Sequence, residues 1–531
     1  MEKITIDGQT LDLEKIVAVS CNGVKVEISP KAKEKVRRCR QLVEDFVNEK
    51  KVIYGLTTGF GALGSKWLPP DDTVELQTNL IKSHSSAVGN PLRKDIVRAM
   101  MLLRANSLAR GNSGIRLETL ETLVEMINKG VHPVIPEKGS VGASGDLAPL
   151  SHMTLVLIGD KEGKAEYNGE TLSGDQAMER AGIKAVHLQS KEGLALNNGS
   201  QLMTAIGSIV LYEAEILVKT AEIAASMSLE ALCGISDAFD TRIHEARPQI
   251  GQMTTARNIR ALIDGSEVVK SSEKMIAEIM AAKSEGKDVS FRSPQDPYSL
   301  RCVPQVIGAV RDSVSHVKQI LQREINSATD NPLIFPEDRQ SLGGGNFHGQ
   351  PVAIAMDLLG IALATLGNIS ERRIARLIDS SLSNGLPGFL IPRDVKEGLH
   401  NGFMIAQYTA ASLASENKVL AHPASVDSIP TCANFEDFVS MGTTAARKAT
   451  EILKNVRYIV AIELLCAAQG IDFRGPEKIG RGTKSAFRRI REKVPQLTKD
   501  RVLSKDIEEV AQLIASNEIL TTVEKAIGTL A

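Results

Sequence analysis

Two rhythms of apolar and polar positions divide the chain. Over the first 30 residues they alternate, as in KITIDGQ and then KIVAVSCNGVKVEISP, which predicts short strands with turns at Asp7-Gly8 and Asn22-Gly23. A helical stretch follows from about Pro30 to Lys50, a loop rich in Gly and Thr covers 53–70, and a further helical region spans roughly 73–130. From about residue 196 the period lengthens. Leu202, Ile209, Ile216 and Ile223 recur every second helical turn, and Val306, Ile307, Val310, Val314, Val317, Leu321 and Ile325 keep the three-and-four spacing of a buried helix face. Similar patterns recur at 351–378, 402–420 and 440–468. Helices of roughly 20 to 35 residues exceed the ordinary globular length and bury their stripes against one another in a bundle, often across subunits.

The predicted fold class is mainly α. A small mixed N-terminal region, 1–195, precedes a long central helical bundle, 196–470, and a helical C-terminal appendage, 471–531, follows the Gly-rich stretch IDFRGPEKIGRG. Aromatic residues make up only 4% of the chain and Trp67 is the sole tryptophan, so the core is mostly aliphatic. No internal repeat is visible.

Charge narrows the function classes. With 63 basic and 64 acidic residues the formal net charge is −1, which gives no electrostatic case for nucleic acid or an anionic membrane as partner. The basic cluster at Arg488, Arg489 and Arg491 reads as a solvated helix face. Cys21, Cys39, Cys233, Cys302, Cys432 and Cys466 are scattered without a CxxC pair, and the nine histidines show no metal-ligand spacing, so neither a disulfide framework nor a metal site is expected. The N-terminus carries charges where a signal peptide needs an apolar run. The apolar stretches around 202–212 and 351–367 read as too short or too interrupted to span a bilayer. The expectation is a cytoplasmic protein.

The chemistry-bearing stretch is KGSVGASGDLAPLSH, residues 138–152. Ala143 offers a carbonyl beside a small side chain, and Gly145 offers an amide nitrogen free to approach it, because glycine has no Cβ. If that nitrogen attacks that carbonyl, a five-membered ring closes, and loss of two waters turns Ser144 into an exposed methylene. The result is an electrophile, which the twenty side chains do not otherwise supply. The same residues also read as a Gly-rich turn ahead of a helix starting near Asp146, with Asp146 or Ser144 as its cap.

The string GSVGASGDLAPLSH resembles the signature of the aromatic amino acid ammonia-lyase family, whose members carry a 4-methylideneimidazol-5-one (MIO) ring formed from Ala-Ser-Gly. YGLTTGFG at 54–61, GLALNNG at 193–199, QDPYSLRCVPQ at 295–305, NSATDNPL at 326–333, GGNFHGQP at 344–351 and ASENKVLAHPASVDSIPT at 414–431 resemble family blocks in the expected order, so the likeness covers nearly the whole chain. It implies a mostly helical homotetramer with active sites shared between subunits. The implied activity is a carbon–nitrogen lyase that removes ammonia from an aromatic L-amino acid with no external cofactor.

The resemblance also implies roles. Ser144 supplies the methylene, and Ala143 and Gly145 close the ring. Tyr54 takes the β-proton, which requires a local field favouring phenolate, since a free phenol has a pKa near 10. Tyr298 lies near the ring and the amine, and Arg301, one helical turn on, clamps the substrate carboxylate. Asn198 hydrogen-bonds the ring and the carboxylate, Phe347 shields the ring, and Gln295 contacts substrate. His84 and Glu416 are the specificity candidates; Glu416 otherwise reads as a helix-surface residue and His84 as a core histidine.

Ser83-His84 resembles the selector pair of histidine ammonia-lyases, and HPASVDSIPT leans the same way, which makes L-histidine, giving trans-urocanate, the first expectation. Thr57, Asn197, Phe435 and Phe438 depart from that branch, and the two phenylalanines in particular suit a phenyl-type substrate. A phenylalanine or tyrosine ammonia-lyase, or a 2,3-aminomutase using the same ring, is therefore the alternative. Two rivals lie further off: a serine amidase or hydrolase using Ser144, which lacks a GxSxG elbow, and an inactive helical scaffold, against which Ser144, Tyr54 and Tyr298 all stand.

Overall fold

The computed structural model describes residues 3–69, 72–287, 292–392, 394–396 and 398–531. Helices dominate, as predicted, and the few strands are two to four residues long. The chain forms two compact units, each assembled from three segments. One comprises residues 1–212, 317–357 and 423–448; the other comprises 213–316, 358–422 and 449–531. Compactness therefore groups the chain differently from the sequential division at 195 and 470.

In the first unit the opening alternation resolves into a strand, a helix and a strand. Ile4–Ile6 pairs in parallel with Val26–Ile28, and between them runs the helix Leu13–Ser20. The sequence reading had that middle piece as strand. Two features override the alternation: Asp12 caps the helix by accepting from Lys15 N at 2.9 Å, and Leu13, Ile16, Val17 and Ser20 are buried at helical spacing. The next helix, Pro30–Asn48, matches expectation. Ser29 accepts from Ala32 N, Pro30 sits at the first turn, and Val36, Cys39, Leu42, Val43 and Phe46 form its buried stripe. That stripe packs with Leu56 and Ile334, tying the glycine loop to the short hairpin Leu333–Phe335 and Gln340–Leu342.

The helical region at 73–130 is three helices, Thr73–His84, Lys94–Ala109 and Leu117–Lys129. It is broken by the strand Val88–Pro91, which pairs antiparallel with Pro136–Lys138 and leads the chain toward Ala143. Lys94–Ala109 is buried from Ile96 to Ala109 and carries Arg98, Arg104, Asn106 and Ser107 inward with its apolar residues.

The second unit holds most of four long helices that begin or continue in it: Gln201–Ala231, Val303–Ile325, Gln350–Ile378 and Gly442–Arg474. The first and third are, by length and composition, long enough to cross a membrane, because each helix runs well beyond the apolar stretch that the sequence reading considered. Of their most apolar windows 78% and 72% are buried inside the molecule. Buried ion pairs lock this unit: Arg311 Nε bonds Glu222 at 2.6 Å, and Arg373 Nε bonds Glu463 at 2.5 Å, with Ser228 and Ser370 donating to the same Glu463 carboxylate. Gly442–Arg474 continues past residue 471, so the C-terminal helices Arg481–Lys493, Leu503–Ala515 and Glu518–Ile527 follow a break that starts at Gly475. Arg489 and Arg491, read as solvated, are paired with Glu492, Glu518 and Asp472.

Candidate active site

A cavity of about 790 Å³ opens within the first unit. Tyr54, His84, Ala143, Ser144, Asn198 and Phe347 all line it, so six of the residues singled out in the sequence converge from segments far apart in the chain. Gly145 faces a smaller adjoining recess together with His84, Ser144 and Glu436.

The tripeptide is clamped by the segment that follows GLALN. Gly145 and Gly199 form a parallel bridge, and Asp146 N donates to Gly199 O at 2.8 Å. Ser144 O accepts twice, from Asn198 Nδ2 at 3.1 Å and from Gly199 N at 3.3 Å. Gly145 has φ +71°, and a Cβ there would lie 2.2 Å from the Gly199 carbonyl carbon, so only glycine fits. Ala143 is buried and packs with Val439 and Met441.

The helix Leu147–Leu157 does begin after Asp146, but neither expected side-chain cap forms there. The Asp146 carboxylate turns instead to a different helix start. It accepts from Met203 N at 2.9 Å, from Ser140 Oγ at 2.8 Å and from the Thr443 hydroxyl. It thereby satisfies one free donor of the helix Gln201–Ala231 and pins both flanks of the tripeptide. Full burial pushes its pKa up, and these three bonds pull it back.

Tyr54 is held by Gly61 N, which donates to its phenol oxygen at 2.7 Å. The sequence expectation was a field favouring phenolate. Within the chain the balance runs the other way: burial pushes the phenol above its ordinary pKa, and Glu436 and Cys432 add to that, opposed only by the Gly61 bond. Thr57 is buried and spends its hydroxyl on Lys51 O and Ile53 N, so it shapes the loop and does not line the cavity. Asn197 likewise faces Ser151. Two of the four departures from the histidine branch are thus structural, whereas Phe435 and Phe438 line the cavity. Phe438 stacks on His348 with ring centres 6.0 Å apart. His348 donates from Nε2 to Phe438 O and accepts at Nδ1 from Gln350 N, which fixes its tautomer.

His84 ends the helix Thr73–His84, with Ser83 Oγ 3.0 Å from its Nδ1. Burial pushes its pKa below the ordinary value, which favours the neutral imidazole.

Glu436 is the residue the sequence reading missed. Ser144 Oγ donates to its Oε1 at 2.7 Å, and Thr431 Oγ1 donates to its Oε2 at 3.0 Å. Cys432, Ala433 and Asn434 all have positive φ, between 52° and 66°, a run that L residues adopt only under constraint. The constraint is the bridge between Thr431 and Glu436, and the tight turn it closes aims the carboxylate at Ser144. The available signal was a pair of adjacent carboxylates, Glu436 and Asp437, set between the phenylalanines of ANFEDF, a stretch read only for those phenylalanines. Asn331 was also missed; it lines the cavity and accepts from Gly344 N at 2.8 Å, steadying the loop that presents Phe347.

The remaining candidates do not line this cavity in a single chain. Glu416 is exposed on the helix Met404–Leu420, where its carboxylate accepts from Asn455 Nδ2 at 3.2 Å. Within a single chain the carboxylates that line this cavity are Glu436 and its neighbour Asp437. Gln295 is exposed, and Tyr298 and Arg301 occupy a four-residue helix in the second unit. As their spacing predicts, they share a face, with the guanidinium 4.6 Å from the ring centre. Tyr298 is 70% exposed, and Arg301 Nε is buried with no hydrogen-bond partner among the described residues.

Known proteins share this architecture. Residues 11–492 match the family described as aromatic amino acid lyase. The histidine ammonia-lyase of Alkaliphilus oremlandii (strain OhILAs) is 55% identical over 528 residues, 99% of each chain. Among solved structures, the tyrosine aminomutase from Streptomyces globisporus superposes with a TM-score of 0.94 at 40% identity, covering 100% of both chains. The histidine ammonia-lyase from Trypanosoma cruzi gives 0.89 at 40% identity, covering 99% of this chain and 96% of that one.

Proposed function

The chain belongs to the aromatic amino acid lyase family, and on that premise we propose that it is a carbon–nitrogen lyase converting L-histidine to trans-urocanate and ammonia. The carrying observation is a cavity that joins Ser144 to two polar groups suited to an imidazole, the Glu436 carboxylate and the neutral His84 ring. Once the Ser144 hydroxyl is lost, Glu436 Oε1 is free to accept from an imidazole N–H, a bond that a phenyl ring cannot make.

The tripeptide fits the MIO ring. Gly145 tolerates no Cβ, Ala143 is small and buried, and two N–H groups already hold the Ser144 oxygen that becomes the ring carbonyl. Closure forms a bond from Gly145 N to Ala143 C. The Ala143 oxygen leaves as water with the amide protons of Gly145 and Ser144, and a second water takes the Ser144 hydroxyl and its α-hydrogen. When formed, the ring supplies an electrophilic methylene that captures the substrate amine and makes it a better leaving group.

The chain's other residues handle the proton and the orientation. Tyr54, as phenolate, accepts the β-proton while the Cα–N bond breaks and the Cα=Cβ bond forms. Phe347, Phe435 and Phe438 give the cavity an apolar wall beside the tripeptide. Arg301 would bind the substrate carboxylate, with Tyr298 near the amine and Gln295 beside them, supplied by another copy of the chain in a homotetramer. The exposure of Tyr298 and the unpartnered Arg301 Nε support that sharing. The cation from that copy would offset part of the burial that raises the Tyr54 phenol above its ordinary pKa. Six free cysteines agree with a cytoplasmic location.

A second reading keeps the ring and changes the substrate. Phe435 and Phe438 in the cavity, with the likeness to a tyrosine aminomutase, favour a phenylalanine or tyrosine lyase or a 2,3-aminomutase. A substrate panel decides. L-His, L-Tyr and L-Phe are offered separately, with urocanate, coumarate and cinnamate followed by absorbance and β-amino acids by chromatography. Urocanate from L-His alone is expected; cinnamate, coumarate or a β-amino acid as the main product would establish the second reading.

A further inference from the structure

Arg104 is a fully buried guanidinium without a direct carboxylate partner. It lies in the helix Lys94–Ala109 and is 0% exposed. Its Nη1 donates to Asn198 O at 2.6 Å and to Gln201 Oε1 at 3.0 Å, and its Nη2 reaches Ser107 Oγ at 3.4 Å. Asp330, the acid whose charge acts on Arg104, is engaged by Lys191 at 2.7 Å. Lys191, Asp330 and Arg104 together leave one net positive charge in the interior. Burying such a charge is unfavourable, and burial lowers the pKa of Arg104 to about 10. A cation retained under that penalty calls for a reason.

The hydrogen bonds supply one. The carbonyl that accepts from Arg104 belongs to the peptide between Asn198 and Gly199, and the N–H of that same peptide donates to Ser144 O. A strong donor on a peptide oxygen drains charge from its nitrogen and makes the N–H a stronger donor. The Asn198 side chain, the other donor to Ser144 O, hangs from the same anchored residue. We propose that Arg104 is a positioning residue that acts through the Asn198–Gly199 peptide to strengthen the hold on the Ser144 carbonyl oxygen.

This rests on the lyase reading above, because that oxygen gathers negative charge at two moments. The first is ring closure, when Gly145 N gives up its proton and the amide charge spreads onto Ser144 O. The second would be turnover, since the ring, once formed, would supply an electrophile conjugated to the same oxygen. Donors aligned beforehand on an oxygen that gains charge speed both. Asp146, buried near the tripeptide, and Glu324, which accepts from Ser200, are the acids on this side of the fold, and burial raises the pKa of both.

The test compares Arg104→Gln, Arg104→Lys and Gln201→Glu with the parent protein. Intact mass follows the fraction of chains lighter by two waters with time, and kcat and KM are measured on the cyclised protein. Arg104→Gln is expected to slow ring closure and to lower kcat roughly tenfold with KM nearly unchanged, and Arg104→Lys is expected to recover most of both. Gln201→Glu keeps the fold, because Thr329 can donate to the new carboxylate, yet it draws the guanidinium away from Asn198 O. It is expected to slow closure at an undiminished melting temperature, which a merely structural Arg104 would not do, and it carries the test if Arg104→Gln fails to fold. Closure and kcat at the parent values in Arg104→Gln, or in Gln201→Glu, would overturn the proposal. A parent chain that lacks the two-water loss would instead defeat the lyase reading itself, so the two failures are distinguishable.

Discussion

The Ser144 hydroxyl donates to Glu436 at 2.7 Å across 292 residues of chain. That contact joins the residue read as the source of the electrophile to a carboxylate that sequence blocks alone did not single out. It also explains a strained turn, since three consecutive residues before Phe435 take positive φ to aim Glu436 inward.

The first prediction separates two carboxylates. Glu436→Gln should lower kcat/KM for L-histidine by roughly 10²-fold, because an amide cannot offer the charged acceptor that an imidazole N–H uses. Glu416→Gln should change it less than about twofold, since within one chain Glu416 is exposed and, among the described residues, bonded only to Asn455. Steady-state kinetics on both variants checks this; equal losses would return Glu416 to the site.

Tyr54 sets the pH dependence. Burial and the neighbouring Glu436 push its phenol above the ordinary value, so the ionised form grows about tenfold for each pH unit below that point. The pH–rate profile of kcat/KM should therefore rise from neutral into the alkaline range, and Tyr54→Phe should abolish turnover. A profile that stays flat from about pH 7 to about pH 9 would remove Tyr54 from the proton transfer.

The fold was legible where burial follows one face of one helix. Pro30–Asn48 and the long helices declare themselves by unbroken three-and-four spacing, and the Ala-Ser-Gly segment by residue types that build no core. Leu13–Ser20 was missed because its apolar residues fit both periods until Asp12 is seen to cap it. Thr57 and Asn197 looked like determinants of specificity and are loop and core contacts; a side chain's direction is a tertiary fact. Glu436 was hidden for the same reason, since its role depends on a turn whose shape no local preference dictates. Arg104 could not be read at all, because an arginine in a helix gives no sign that it is buried beneath a peptide 94 residues away.

Glu230 provides a stability prediction away from the cavity. Its carboxyl accepts from Gly480 N at 2.6 Å, just before the helix Arg481–Lys493, and burial raises its pKa from 4.5 to about 7. A folded-state pKa above the unfolded one means the stabilisation is fully present below about pH 4.5 and is lost as pH rises through about 7, amounting to roughly 3 kcal/mol. Glu230→Gln should therefore raise the melting temperature at pH 8 relative to the parent and leave it little changed at pH 5. Thermal unfolding at the two pH values checks the sign; a variant that loses stability equally at both contradicts it.

Residues 143–145 of this chain are expected to become their own prosthetic group. Intact mass of the purified, active protein beside its Ser144→Ala variant tests that directly. The parent is predicted to be lighter than its sequence by two waters, and the variant, folded and inactive, not to lose the water that the serine hydroxyl supplies. An active parent at its full sequence mass would contradict the account.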